Sequence, residues 1–171
     1  MSPRQERAAI EFGTVNEKNL VQLQRLNTAL FPVKYNDKFY QEAIRAPDGF
    51  VRLAYFQTIL VGAVMVRFES NANGSSRLYI MTLGVLAPYR ERGIGAQLLD
   101  HVFELLASHP LCSNVSEIAL HVHTENTEAI AFYKNRGFEV VELIEKYYKR
   151  GVDPPDCYLL SKKVEPRGNG S

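Results

Sequence analysis

Arg90-Glu91-Arg92-Gly93-Ile94-Gly95 lies between an apolar strand candidate, Arg77 to Val85, and a segment from Ile94 to Ala107 with helical periodicity. Glycines at a helix entrance let backbone N–H groups approach a ligand with no Cβ in the way. The unpaired N–H groups and the positive end of the helix dipole then favour a pyrophosphate, with Arg90 and Arg92 placed to add charge-assisted contacts. Two other phosphate motifs do not fit. The dinucleotide fingerprint needs a third glycine where Leu98 stands, and a P-loop needs Gly-Lys followed by Ser or Thr. On spacing alone the stretch reads equally as a plain glycine turn opening a helix.

Upstream, a short strand candidate covers Ile10 to Phe12. Asn16 is expected to cap a helix with Glu17 in its first turn and Leu20, Leu23, Leu26 and Leu30 on its apolar face, ending at Pro32. A second short helix, Asp37 to Ala46, is entered through Asn36. Val51 to Phe56 and Leu60 to Glu69 read as a hairpin, and Ser70 to Ser76 as a loop. Downstream come a strand from Glu117 to Thr124, a helix from Asn126 to Arg136 stopped by Gly137, a strand from Phe138 to Tyr148 and a last strand from about Asp156 to Lys163. This order predicts an α+β or mixed α/β fold, a sheet of about seven strands flanked by about four helices.

The 171 residues suit one domain, expected over residues 9–164 between a flexible N-terminus (residues 1–8) and a flexible tail (residues 165–171). The 46% hydrophobic content is ample for a core, and no apolar run approaches the roughly 20 residues that span a bilayer. The polar start is unlike a signal peptide, so a soluble chain is expected. Twenty Lys and Arg against nineteen Asp and Glu argue against a nucleic-acid partner. Cys112 and Cys157 show neither a disulfide framework nor zinc spacing, and free thiols are expected. The histidines His101, His109, His121 and His123 form no convincing ligand set, so no metal is expected.

Arg90-x-x-Gly93-x-Gly95 after a strand ending in Leu83-Gly84-Val85 resembles the acetyl-CoA motif of the GNAT (Gcn5-related N-acetyltransferase) superfamily. Asn126-x-x-Ala129-x-x-Phe132-Tyr133-x-x-x-Gly137-Phe138 resembles the second signature of that superfamily. The likeness spans about residues 9 to 163. Phe31 to Tyr40, Leu78 to Gly84 and Tyr147-Tyr148 narrow it to the NatE type of N-terminal acetyltransferase catalytic subunit. That resemblance implies a GNAT fold, acetyl-CoA as co-substrate, and transfer to the α-amine of chains that begin with Met and a hydrophobic residue. It also implies peptide and protein N-termini as partners, association with the NatA complex and the ribosome, and a cytoplasmic or nuclear location.

Acetyl transfer from a thioester to an amine needs a neutral amine, a stabilised oxyanion and a thiolate that can leave. A free α-amine titrates near roughly 7.7–8.0, so modest base help through one water suffices, whereas a lysine near roughly 10.4 demands more. By the resemblance, Tyr79 and His121 form the catalytic pair. Strand alternation puts Tyr79 and Met81 on one face, and His121 and His123 on one face of theirs. Cofactor contacts are implied for Leu83 and Val85 through their backbones, for Arg90, Glu91, Arg92, Gly93, Ile94 and Gly95 in the cradle, and for Asn126 and Tyr133. Asn126 is also explained as a helix cap, and Tyr133 as a thiolate acid or a packing residue. Gly84 suits a bulge. Phe31, Pro32, Val33 and Met81 are implied to wall the methionine pocket, and Tyr35, Tyr147 and Tyr148 to hold the peptide backbone. His123 and Gly151 depart from the family pattern. A GNAT acting on lysine or small amines, and a non-catalytic acyl-CoA-binding subunit, are the alternatives.

Overall fold

The structure is a computed structural model that describes residues 9–168; the expected flexible N-terminus and the last three residues of the expected tail lie outside the described residues. Among these, the order is β1 (Ile10–Gly13), α1 (Leu20–Leu30), α2 (Asp37–Arg45), β2 (Val51–Phe56), β3 (Ile59–Ser70), β4 (Ser76–Val85), α3 (Ile94–Ser108), β5 (Val115–His123), α4 (Thr127–Lys134), β6 (Glu139–Ile144) and β7 (Cys157–Lys163). Seven strands form one mixed sheet in the order β1-β2-β3-β4-β5-β7-β6. The expected seven strands and four helices are all present.

Two compact units divide the chain. The first runs to Met65 and resumes over Thr82–His101; the second takes Val66–Met81 and continues from Val102. In the first, β1 pairs antiparallel with β2, and β2 turns into β3 through Gln57-Thr58, with Gln57 at φ 56°. Leu23, Leu26, Phe39, Leu53, Val61 and Leu98 are buried there. Glycine is required at two places. A Cβ on Gly62 would lie 3.0 Å from the Gly84 carbonyl oxygen, and one on Gly84 would lie 2.8 Å from Leu30 Cδ1 and 3.1 Å from Phe31 Cζ. At Gly84, where the sequence suggests a bulge, the need for glycine is steric.

In the second unit β4 pairs parallel with β5 from Ser76↔Val115 to Tyr79↔Ala119, and β7 pairs antiparallel with both β5 and β6. Burial along β4 alternates: Ser76, Leu78, Ile80 and Thr82 are buried, with Arg77, Tyr79, Met81 and Leu83 half-buried between them. This is the two-residue period of a sheet with one packed face. Leu78, Ile118, Leu160, Tyr133 and Phe138 are all buried in this unit. Helix α4 ends as its sequence suggests: Gly137 adopts φ 90° and the Phe138 N–H bonds the Tyr133 carbonyl.

Two local expectations differ. Helix α1 starts at Leu20 rather than just after Asn16, because Asn16 and Asn19 bond each other: Asn16 N–H donates to Asn19 Oδ1 (2.8 Å) and Asn16 Oδ1 accepts from Lys18 and Asn19 N–H. Such side-chain bonds compete with the helix ladder. Strand β6 stops at Ile144, short of the expected Tyr148, because Lys146 turns to φ 54° with its N–H on Asp156 Oδ1. In the stretch expected as a flexible tail, Arg167 donates to the carbonyls of Leu106 and His109, and the Gly168 N–H donates to Ser113.

Candidate active site

In the second unit the ladder that ends at Tyr79↔Ala119 brings together residues distant in sequence. Tyr79 points from the half-open face of β4, and His121 stands two residues past Ala119 on β5. The Tyr79 hydroxyl lies 2.6 Å from His121 Nδ1, a hydrogen bond between residues 42 apart in the chain. Tyr147 stacks on the His121 ring at 4.7 Å and 20°. Burial, then the adjacent Tyr147 to which it is hydrogen-bonded, raises the Tyr79 pKa far above its ordinary value. Tyr79 therefore stays protonated at neutral pH. Burial first, and then Arg77, lowers the His121 pKa, while Glu69 and Glu142 act the other way. His121 is thus a neutral imidazole at pH 7, able to take a proton.

Tyr147 and Tyr148, expected on a strand, sit in the loop between β6 and β7. Its shape is set by backbone bonds, Tyr148 N–H to Pro155 O (2.9 Å) and Thr124 N–H to Asp156 O (3.3 Å). His123, the departure from the family pattern, holds this loop: its Nε2 is 2.6 Å from the Pro154 carbonyl and its ring meets Tyr148 edge-on. With His121 on Tyr79 and His123 on Pro154, the two rings are committed to separate partners. Tyr148 is half-buried, and burial raises its pKa. Gly151 has φ 75° and no atom within 4 Å of a would-be Cβ, so backbone conformation accounts for this glycine.

The sequence reading missed the charged groups under Tyr79. Arg67 and Arg77 place their guanidinium carbons 5.6 and 5.5 Å from the Tyr79 ring centroid. Glu69 bridges them, with Oε1 2.7 Å from Arg77 Nε and Oε2 2.6 Å from Arg67 Nη2. Burial alone would raise the Glu69 pKa, but bonds from Arg77 and Arg67 outweigh it and the net shift is downward. The spacing Arg67-x-Glu69 and Arg77-x-Tyr79 on neighbouring strands is the signal that could have found them.

Tyr133 is 4% exposed, with its ring edge-on to both Phe132 and Phe138. Burial raises its pKa, so its hydroxyl stays protonated and does not act as a base at neutral pH. Asn126 caps α4, its Oδ1 accepting from the Ala129 N–H at 3.1 Å. Capping therefore accounts for Asn126 Oδ1.

In the first unit the stretch 90–95 is a helix entrance. Glu91 and Gly93 both have positive φ, 63° and 81°. The first intrahelical bond of α3 is Gln97 N–H to Gly93 O, so the N–H groups of Gly93, Ile94, Gly95 and Ala96 have no partner within the helix. A Cβ on Gly93 would meet nothing within 4 Å, so the space above it is open. The residues thus fit a phosphate-bearing group. Arg90 Nε donates to the Val85 carbonyl at 2.9 Å, which joins two residues expected to touch the cofactor separately. The Arg92 guanidinium lies over the rings of Phe56 and Tyr89, at 5.7 and 5.9 Å. Leu83 is half-buried on β4. Phe31 and Tyr35 meet edge-on at 6.2 Å, and Tyr35 stacks on Phe39 at 4.3 Å, which fixes the loop that carries Pro32 and Val33 between α1 and α2. Val33 is exposed.

Comparison with known proteins places this geometry in context. The acetyltransferase (GNAT) family profile matches residues 20–138. The chain is 46% identical over 155 residues to N-alpha-acetyltransferase 50 of Danio rerio, covering 91% of this chain and 89% of that protein. It is 45% identical over 158 residues to the probable N-acetyltransferase san of Drosophila melanogaster, covering 92% and 83%. A solved structure of Arabidopsis thaliana Naa50 in complex with the bisubstrate analogue CoA-Ac-MVNAL superposes with a TM-score of 0.80 at 50% identity, covering 91% of this chain and 99% of that one.

The loop geometry generates a test. His123→Ala removes the bond to Pro154, and a lost hydrogen bond is worth about 1 kcal/mol. Amide exchange at Lys146 and Tyr148, read by NMR or mass spectrometry, is expected to quicken about fivefold while exchange in the β5–β7 ladder stays unchanged.

Proposed function

The chain belongs to the GNAT acetyltransferase family, and we propose that it acts as an N-terminal acetyltransferase, moving acetyl from acetyl-CoA to the initiator methionine of chains whose second residue is hydrophobic. The observation that carries the chemistry is the 2.6 Å hydrogen bond between Tyr79 and a neutral His121. The acceptor class rests on the likeness to N-alpha-acetyltransferase 50 and to the Arabidopsis protein bound to an analogue whose peptide part reads MVNAL.

Acetyl-CoA supplies the activated thioester carbonyl. The entrance of α3, with its N–H groups and open space at Gly93, receives the phosphates, helped by Arg92 and by the Arg90 donors left over from Val85. Burial keeps Tyr79 protonated, so it passes a proton on and does not itself hold the one removed from the amine. Its oxygen takes a proton from the amine, directly or through a water, as its own proton passes to His121 Nδ1. The proton comes to rest on the imidazole. An α-amine near roughly 7.7–8.0 is already partly neutral at pH 7.5, so this relay need not be a strong base. Tyr133, kept protonated by burial, offers a hydrogen bond to the departing sulfur, which leaves as the thiolate and takes its proton from solvent. In the acceptor roles, Phe31, Pro32, Val33 and Met81 recognise methionine, and Tyr35, Tyr147 and Tyr148 bind the peptide backbone. Association with the NatA complex and the ribosome, and cytoplasmic or nuclear action, belong to the same proposal and rest on the NatE resemblance.

The deciding experiment offers acetyl-CoA with a free Met-Leu peptide and with an N-terminally blocked, lysine-containing version, the product being located by mass spectrometry. Transfer to the free terminus alone is expected; transfer to lysine in the blocked peptide overturns the α-amine reading. Tyr79→Phe and His121→Ala should each lower kcat by about 10²–10⁴-fold with acetyl-CoA binding retained. Near-normal rates in both would remove the relay. Gly93→Val places a β-branched residue at φ 81° and fills the cradle, so acetyl-CoA affinity by calorimetry should fall at least about tenfold.

A further inference from the structure

The charged groups beside Tyr79 have no part in the relay as described, yet their arrangement is specific. Four of them meet on one face of the second unit. Arg67 and Glu69 share one face of β3, Arg77 precedes Tyr79 by two residues on β4, and Glu117 is paired with Arg77 across the parallel ladder. Arg77 touches two carboxylates, Glu69 at 2.7 Å through Nε and Glu117 at 3.7 Å through Nη1. Glu117 is held from the next strand by the Ser161 hydroxyl at 2.9 Å. Two guanidiniums and two carboxylates balance to zero, so no uncompensated charge faces the Tyr79 ring.

Stability alone does not explain this arrangement. The Arg77 and Glu69 side chains are each 24% exposed, and partly exposed ion pairs contribute little to folding. A cation over a tyrosine face does fix the ring, and here two flank the same one. We infer that Glu69 and Arg77 are positioning residues that hold the Tyr79 ring and balance the charge beside the Tyr79–His121 hydrogen bond. The inference rests on the reading of that pair as the proton relay.

The two residues act in opposite senses. A cation near His121 disfavours the imidazolium and an anion favours it. The groups that act on His121 are Arg77 from β4, Glu69 from β3, Glu142 from β6, the Tyr79 hydroxyl and the stacked Tyr147 ring. With both Arg77 and Glu69 in place, burial dominates and His121 stays neutral in the physiological range. Removing Arg77 leaves Glu69 and Glu142 to raise the proton affinity of His121. Removing Glu69 leaves burial and Arg77 opposed by Glu142 alone, which lowers it further.

The test uses the intact chain and two readouts. The His121 imidazole is titrated by NMR, its signal identified among the four histidines by its loss in His121→Ala. The pH dependence of kcat is measured on the Met-Leu peptide. The His121 midpoint is expected to rise in Arg77→Gln and to fall in Glu69→Gln, with the acid limb of kcat moving the same way in each. Arg77→Lys, which keeps the charge, should return the midpoint toward the parent value. Midpoints that stay put in both variants, or move in the same direction, overturn the inference. Midpoints that move oppositely while the kcat limb stays fixed support the charge balance and remove His121 as the base.

Discussion

The parallel pairing of β4 with β5 is the constraint on which the candidate catalytic centre depends. It sets Tyr79 opposite Ala119 and Arg77 opposite Glu117. Side chains alternate along a strand, so a slip of one residue would turn Tyr79 into the core and Leu78 or Ile80 out of it. Complete burial of Leu78 and Ile118 makes that slip costly. His121 then stands two residues beyond the partner of Tyr79, on the same face of β5. Side chains lean along the strand direction, and two rings of this length can close that offset. Apolar burial on one side of the sheet thus holds a 2.6 Å hydrogen bond on the other.

What surrounds that bond decides how it can be used. Burial keeps Tyr79 protonated and His121 neutral, one group with a proton to pass on and one with room to take it. Tyr147 reaches the pair from a loop rather than a strand, and that loop is held by Asp156, Pro155 and the His123 bond to Pro154. His123 thus braces the loop that carries Tyr147 and Tyr148. The candidate cradle of the first unit rests on another principle: Gly93 at φ 81° and the first turn of α3 offer backbone donors, and no titratable group has to change state.

Much of this was legible in the chain. The Asn36 and Asn126 caps, the Gly137 stop, the alternation along β4 and the glycine-rich helix entrance all appear where the residues suggest. Each is governed by neighbours within a few positions. Tyr79 and His121 were singled out through the family resemblance, and strand alternation alone could say only which neighbours share a face with each. Less legible was how α1 begins, because Asn16 and Asn19 bond each other before the helix starts. Tyr147 and Tyr148 read as strand because aromatic residues favour strands, but the turn at Lys146 answers to Asp156, ten residues away. The Arg67, Glu69, Arg77 and Glu117 cluster escaped notice because each member alone looks like an ordinary solvated charge.

By itself the sequence determined the number and kind of elements and the glycine turn that opens α3, since these follow from period, capping and the conformational freedom of glycine, while the family was legible only as a resemblance of its motifs. Only the tertiary structure decided that Tyr79 meets His121, that His123 serves the loop rather than the chemistry, and that Arg90 spends a donor on Val85. Those outcomes depend on strand register and on loops closed by distant carbonyls. The energy of such contacts is set by burial and pairing across the fold, and no local run of residues encodes it.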